Sequence, residues 1–137
     1  MPLLYFAGRI FIFLLLDYTS AFSLRGPSTV RGLVGRTLSV TCYYDKYYQT
    51  YDKYWCKGDN WSDCTIVVRT KELEEEVKAD RTSIKDNYTC SCFTVTLENL
   101  MEADAGEYWC AIERTGADIH VPVTVLPEHL PTTTIIG

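Results

Sequence analysis

Asp104-Ala105-Gly106-Glu107-Tyr108-Trp109-Cys110 is the stretch on which the reading of this chain turns. Its pattern is D-x-G-x-Y-x-C. In a sandwich of two antiparallel sheets, a Tyr two residues before a core cysteine can send its hydroxyl back to upstream backbone. That bond fixes the corner where the chain enters the strand, while the cysteine crosses the core to the other sheet. The matching parts lie upstream. Cys42 precedes Cys110 by 68 positions, at the end of the alternating run Leu38-Ser39-Val40-Thr41-Cys42. Trp55 follows Cys42 by 13 residues, where the next strand would bury an indole against the disulfide. A lone Y-x-C says little, but Cys42, Trp55, Asp104, Tyr108 and Cys110 occur in order and at these spacings.

Together they predict an all-β fold, the variable-type immunoglobulin sandwich, with Trp55, Arg81, Asp104 and Tyr108 as structural residues. The chain has 137 residues, enough for one domain of ordinary size. It begins with Arg9, the apolar run Ile10 to Leu16, and small residues at Ala21 and Ser23. This order of charge, apolar stretch and small residues reads as a signal peptide over 1–23, cleaved after Ser23. The run is too short to span a bilayer. The six cysteines then belong in an oxidising compartment. The formal net charge of −5 argues against nucleic acid as a partner. No later apolar run approaches the roughly 20 residues of a membrane helix. The chain thus reads as secreted, or as the extracellular part of a longer cell-surface protein.

Working outward, Val30, Leu33 and Val34 suggest a first strand, with Gly32 and Gly35 at the bend where it changes sheets. Leu38 to Tyr44 is the second strand. From Tyr43 to Tyr54 six tyrosines alternate with charged and amide residues, across the loop that serves recognition in variable-type domains. Tyrosine gives wide amphipathic contact at low entropic cost. Tyr43 and Tyr54 are expected to pack on the sheet, and Tyr47, Tyr48 and Tyr51 to be exposed. Lys53 to Lys57 is the strand that carries Trp55, with Tyr54 and Cys56 facing outward. Cys64 opens the next strand, so Cys56 and Cys64 can bridge the hairpin. That bridge would contribute about 2–3 kcal/mol on a chain-entropy model, against about 4 kcal/mol for Cys42–Cys110.

Glu72 to Lys78 is acidic and reads as a solvated loop with an edge strand. Arg81 to Lys85 forms a strand, and Arg81 and Asp104 are the residues expected to form a bidentate pair. Phe93, Val95, Leu97 and Leu100 point inward along the next strand. Gly106 to Ile112 and Ile119 to Leu126 complete the domain, assigned to 24–126. Pro122 suits an edge or bulge. Beyond Leu126, Pro and Thr without periodicity read as the start of a stalk over 127–137.

Asn60-Trp61-Ser62 and Asn87-Tyr88-Thr89 are glycosylation sequons, making Asn60 and Asn87 candidate acceptors. Cys90 and Cys92, at i and i+2, read as lying on the outer face of their strand. They can bridge each other, pair with another chain or remain free. Zinc is a poor fit, since no further Cys or His lies at ligand spacing. No catalytic motif appears. His120 and His129 are the only histidines, and the carboxylates of Glu72 to Glu76 form a solvated run.

Lys53-Tyr54-Trp55-Cys56-Lys57, then Cys64, Arg81-Thr82-Ser83-Ile84-Lys85-Asp86, Phe93-Thr94-Val95-Thr96-Leu97 and Asp104 to Cys110 resemble the leukocyte mono-Ig-like receptors, the CMRF-like molecules. The polymeric immunoglobulin receptor domains are similar. K-Y-W-C with a following cysteine is the specific part of the resemblance. It implies one variable-type domain on myeloid or related cells, with a stalk, a membrane helix and either an inhibitory tail or a helix that pairs with a signalling adaptor. It also implies recognition of lipids or protein ligands and control of cell activation. Cys90 and Cys92 depart from that pattern. Immunoglobulin binding and transport is the alternative implied function. It is disfavoured by a single domain and by a first loop without Arg. A secreted decoy is a further alternative.

The candidate ligand surface is Tyr47, Tyr48, Tyr51, Trp61, Arg114 and Asp118. Tyr and Trp suit a membrane interface, apolar with a polar edge. Lys46, Lys53 or Arg114 offers a cation to a phospholipid phosphate. Asp59, Asp63 and Asp118 offer carboxylates that could share a calcium ion with it, against the plainer reading of ordinary solvated loop acids. A cell-surface protein ligand, or a homo- or hetero-dimer through Cys90 or Cys92, are the other partner expectations.

Overall fold

A computed structural model describes residues 22–131. The segment read as a signal peptide lies outside the described residues up to residue 21, as does the stalk from residue 132 onward. Ten strands are described: β1 (Leu24–Arg25), β2 (Thr29–Leu33), β3 (Leu38–Tyr44), β4 (Lys53–Lys57), β5 (Thr65–Arg69), β6 (Val77–Ala79), β7 (Thr82–Asn87), β8 (Cys92–Leu97), β9 (Gly106–Ile112) and β10 (Ile119–Glu128). One sheet runs β1-β3-β8-β7-β6 and the other β2-β10-β9-β4-β5. All pairings are antiparallel except β2 on β10. The fold is an all-β sandwich of variable type.

Alternation builds the core. Leu38, Val40, Cys42 and Tyr44 of β3 are buried, and the residues between them face out or sit part-way. From the other sheet come Trp55, Tyr108, Cys110, Ile112, Val123 and Val125. Cys42 and Cys110 are disulfide-bonded across this core. Trp55 is fully buried and stacks on Tyr108 at 4.7 Å between ring centroids. Large aromatic contacts of this kind add to the area term in a small core.

The corner from Asp104 to Tyr108 has the geometry its residues suggest. The Tyr108 hydroxyl donates to the Asp104 carbonyl at 2.7 Å. Burial pushes the Tyr108 phenol up to about 12. Arg81 donates to both carboxylate oxygens of Asp104, at 3.0 and 2.8 Å, and also to the carbonyls of Glu98 and Asn99. The Arg81 guanidinium holds the Asp104 carboxyl below the usual carboxylate range.

Several local expectations change. The first strand switches sheets at Gly26–Ser28, between β1 and β2, not at Gly32 and Gly35. Gly26 is required there because a Cβ would sit 2.6 Å from the Cys42 sulfur. Gly35 has φ +85° and serves the turn into β3. Tyr43 is exposed and its neighbour Tyr44 is buried, because the period of β3 carries Tyr44 to the core face. β10 continues to Glu128, where Pro127 and Glu128 pair with Gly32 and Leu33. Pro122 pairs with Trp109 of β9 on one side, while β2 begins its pairing only at Thr124. Its missing N–H therefore breaks no ladder bond there, as expected of a strand edge.

Candidate functional site

The tyrosine loop is built by a capped turn. Residues Lys46–Tyr48 form one turn of 3-10 helix, and the Asp45 carboxylate accepts from the Tyr47 N–H at 2.8 Å. Tyr48 N–H donates to Asp45 O and Tyr51 N–H to Tyr48 O. This places the three rings against one another. Tyr47 and Tyr48 meet edge to face at 5.1 Å, Tyr48 and Tyr51 at 5.2 Å, and Tyr47 and Tyr51 at 5.9 Å. Tyr47 is 72% exposed. Tyr48 and Tyr51 are half-buried and pack on the main core, so only one of the three expected exposed rings is fully so. The cause is mutual packing: two rings support the third.

The loop between β9 and β10 meets this cluster. Arg114 donates to the Tyr48 hydroxyl at 3.3 Å and to the Ala117 carbonyl at 2.7 Å. Asp118 accepts from the Arg114 N–H at 3.2 Å and from the Tyr54 hydroxyl. Burial, with Asp118 beside it, raises the Tyr54 phenol well above its usual range. Among the described residues Arg114 has no carboxylate partner within salt-bridge distance. An open cleft of about 700 Å³ lies here, lined by Tyr51, Asp52, Glu72, Glu113, Arg114 and Asp118 among others. Its carboxylates are mostly engaged. Arg69 donates to Asp52 at 2.7 Å and to Glu113 at 3.0 Å, and Asp52 also accepts from Lys71 N–H. The cleft therefore has acidic walls that Arg69, shared between Asp52 and Glu113, offsets only in part, with Arg114 as a cation on its rim.

The two five-stranded sheets, the disulfide across the core and the Tyr108 corner are the marks of one domain family. The immunoglobulin V-set domain family matches residues 25–126. The chain belongs to this family. Human CMRF35-like molecule 1 is 47% identical to the V-set chain over 97% of it, and human CMRF35-like molecule 7 is 44% identical over 88%. The chain spans 45% and 61% of the length of these two relatives. Among solved structures, the natural killer cell receptor Nkp44, a triggering partner in natural cytotoxicity, superposes with TM-score 0.67 and 27% identity, covering 74% of this chain and 98% of that one. The teleost fish polymeric Ig receptor ectodomain superposes with TM-score 0.60 and 30% identity, covering 80% of this chain and 50% of that one. The V-set domain and its CMRF35-like relatives belong to a receptor family without enzymatic chemistry. Among the described residues no helix is long and apolar enough to cross a membrane.

Trp61 lies away from the tyrosine loop, on the outer face of the β5-β4-β9-β10 side of the V-set domain. Cys56 and Cys64 are bonded and fold the β4–β5 loop back over the sheet. Trp61 then stacks on His120 at 4.1 Å and on Tyr54 at 6.1 Å, with Trp109 edge-on. Trp109 anchors the loop by donating to the Gly58 carbonyl at 2.8 Å. Tyr54 is the link, with its ring against Trp61 and its hydroxyl on Asp118.

The three-aspartate calcium set does not assemble. Among the described residues no three acidic, His or Cys side chains converge on a metal position. Asp118 is committed to Tyr54 and Arg114, while Asp59 and Asp63 sit in the loop that folds over the sheet. Lys53 is not a candidate for a phosphate either. It is fully buried and donates to Asp86 at 2.6 Å and to the Gln49 carbonyl at 2.6 Å. Of the three states expected for Cys90 and Cys92 the structure has the first: they bridge each other, with Cys90 in the β7–β8 turn and not on the outer face of a strand. Asn87 is exposed, and its side chain accepts from Thr89 N–H at 2.9 Å. Asn60 immediately precedes the 3-10 turn Trp61–Asp63.

Sequence reasoning gave Lys53 a surface role and missed the parts played by Asp86, Tyr44, Arg69 and His120. A Lys at the first residue of a strand is ordinarily solvent-facing, and nothing in its immediate neighbours shows a carboxylate 33 positions away waiting for it. His120 could have been placed: it pairs with Ala111 and so shares the outer face with Tyr54 and Trp109's neighbourhood.

Proposed function

We propose that this chain is the recognition ectodomain of a leukocyte cell-surface receptor of the CMRF35-like kind, and that its loop end binds a phosphate-bearing lipid headgroup at a membrane surface. The observation that carries the reading is Tyr47. It stands 72% exposed on a shelf made by Tyr48 and Tyr51, beside the rim cation Arg114. An exposed amphipathic ring next to an unpaired guanidinium suits the boundary between headgroup and acyl chain. Guanidinium meets phosphate through directed, charge-assisted hydrogen bonds. Lys46, on the same turn and exposed, adds a second cation. The CMRF35-like relatives support the receptor setting.

The test is vesicle co-sedimentation of the secreted chain, comparing phosphatidylcholine vesicles with vesicles carrying phosphatidylserine. Binding that falls at least tenfold in Tyr47→Ala and again in Arg114→Glu is the expected outcome. Equal sedimentation of wild type and both variants, or none at all, removes the lipid reading and leaves a protein ligand.

A further inference from the structure

Of the three disulfides, Cys90–Cys92 contributes least to the fold and is the most accessible. Cys42, Cys110 and Cys56 are buried, and the loops their bridges close have sequence separations of 68 and 8. Cys90–Cys92 has a separation of 2. Cys90 is exposed in the turn, while Cys92 is 8% exposed and paired with Asn87 and Tyr43 in the sheet. The strands therefore stay paired up to Asn87–Cys92 whether or not the sulfurs are joined, and what the bridge holds is the turn of residues 88–91. Between them Ser91 has φ +51°, a left-handed conformation that a residue with a Cβ adopts at a cost. Exposed bridges in unfavourable local geometry are the ones that exchange.

The turn also touches the loop end. The Ser91 carbonyl accepts from Tyr44 N–H at 2.9 Å. Tyr88, three residues back, accepts at its carbonyl from Gln49 of the tyrosine loop at 3.0 Å. Its N–H donates to Glu74 at 2.8 Å and its hydroxyl to the Glu72 carbonyl at 3.4 Å. One small turn thus clasps both the tyrosine loop and the acidic loop before β6.

We propose that Cys90–Cys92 is a thiol–disulfide exchange site, opened by an external thiolate that attacks the Cys90 sulfur. The new bond joins that sulfur to the incoming thiol. The Cys90–Cys92 bond breaks, and its electron pair leaves on Cys92, which takes a proton from water. A second thiol of the reductant then attacks its own sulfur in the mixed disulfide. This releases Cys90 as a thiol and carries off the oxidised reductant. Two electrons pass from the dithiol to the bridge. Opening frees Ser91 from its left-handed conformation and loosens the clasp on residues 46–51. The exchange chemistry stands independently of which ligand the loop end binds.

The test uses the oxidised, secreted chain with two thiol sources run in parallel. One arm is glutathione, a low-mass monothiol, and the other is thioredoxin lacking its resolving cysteine, a protein thiol. Products are located by peptide mass mapping under non-denaturing alkylation. Expected is an adduct on Cys90 in at least one arm, with Cys42–Cys110 and Cys56–Cys64 intact; which arm labels identifies the source. Amide exchange of residues 46–51 should rise on opening. A Ser91→Gly variant, which relieves the left-handed cost in the closed ring, should need roughly fivefold more reductant at its midpoint. Opening of Cys56–Cys64 first, or no adduct in either arm before the domain unfolds, overturns the site. An unchanged midpoint in Ser91→Gly overturns the part assigned to the backbone of Ser91.

Discussion

Replacing Lys53 by Met keeps the length of the side chain and removes its charge from the inside of the sandwich. The ammonium now donates to Asp86 and to the Gln49 carbonyl, each at 2.6 Å, and lies 4.1 Å from the centre of the Tyr44 ring. Asp86 accepts in addition from the Tyr44 hydroxyl at 2.6 Å. Burial pulls Lys53 down from its ordinary value and pushes Asp86 up, and each partner works against that shift. Without Lys53, Asp86 keeps only neutral donors, the Tyr44 hydroxyl and the Asn87 backbone N–H, in a nearly dry site. Removing one member of a buried pair costs about 3–5 kcal/mol, because the other charge is stranded. A domain of this size has about 5–15 kcal/mol of stability in all. Lys53→Met should therefore lower the melting temperature by more than about 10 °C. Asp86→Leu should do the same. The double variant strands no charge, so its loss should fall short of the sum of the single losses by about 2 kcal/mol or more. Urea unfolding of the four proteins, followed by tryptophan fluorescence, closes the cycle. Losses that simply add, or single variants within about 1 kcal/mol of wild type, would refute the account of a mutually dependent pair.

Other outcomes follow from the same geometry. Arg81→Ala and Asp104→Ala should each destabilise by about 2–3 kcal/mol, at the lower end for a paired charge because Arg81 is partly exposed. The Asp104 carboxyl lies below its usual 3.8 in the folded chain. Its contribution is thus complete above that value and is lost as pH falls through the lowered folded pKa; the stability gap to Asp104→Asn should shrink on acidification below about pH 4. A gap independent of pH contradicts the pairing. Cys56→Ser/Cys64→Ser should cost about 2–3 kcal/mol and free Trp61 from His120, seen as increased quenching of tryptophan fluorescence by iodide. Polymeric immunoglobulin, tested by surface resonance, should give no signal with this single domain; saturable binding would revive the transport reading.

The parts legible in the sequence were those that a repeating geometry dictates. Alternation over Leu38 to Tyr44 and the spacing of Cys42, Trp55, Tyr108 and Cys110 fix both sheets, because a one-residue slip would turn every core side chain outward. The tyrosine run marked the β3–β4 loop for a compositional reason. It did not tell Tyr43 from Tyr44, or Tyr47 from Tyr51, since burial there depends on where β3 ends and on a 3-10 turn set by Asp45. The calcium set failed for a related reason. Residues in loops at different places share no period, and Asp118 found a nearer partner in Tyr54.

The loops at this end of the domain are tied to one another. Lys53 reaches from β4 to Asp86 of β7 and at the same time caps the Gln49 carbonyl of the tyrosine loop. Gln49 in turn donates to Tyr88 of the β7–β8 turn, and Tyr88 holds Glu72 and Glu74. Arg69 at the end of β5 joins Asp52 to Glu113. The ties of Lys53, Asp86 and Asp52 satisfy buried polar groups that would otherwise be costly, while those of Tyr88 to the acidic loop and of Arg69 to Glu113 lie at the surface. A loop ordered before it meets its ligand loses less entropy on binding. The exposed ring of Tyr47 is therefore presented by a shelf already fixed from below. Cutting a tie such as Lys53–Gln49 should weaken binding even though neither residue is available at the surface to touch a ligand through its engaged groups.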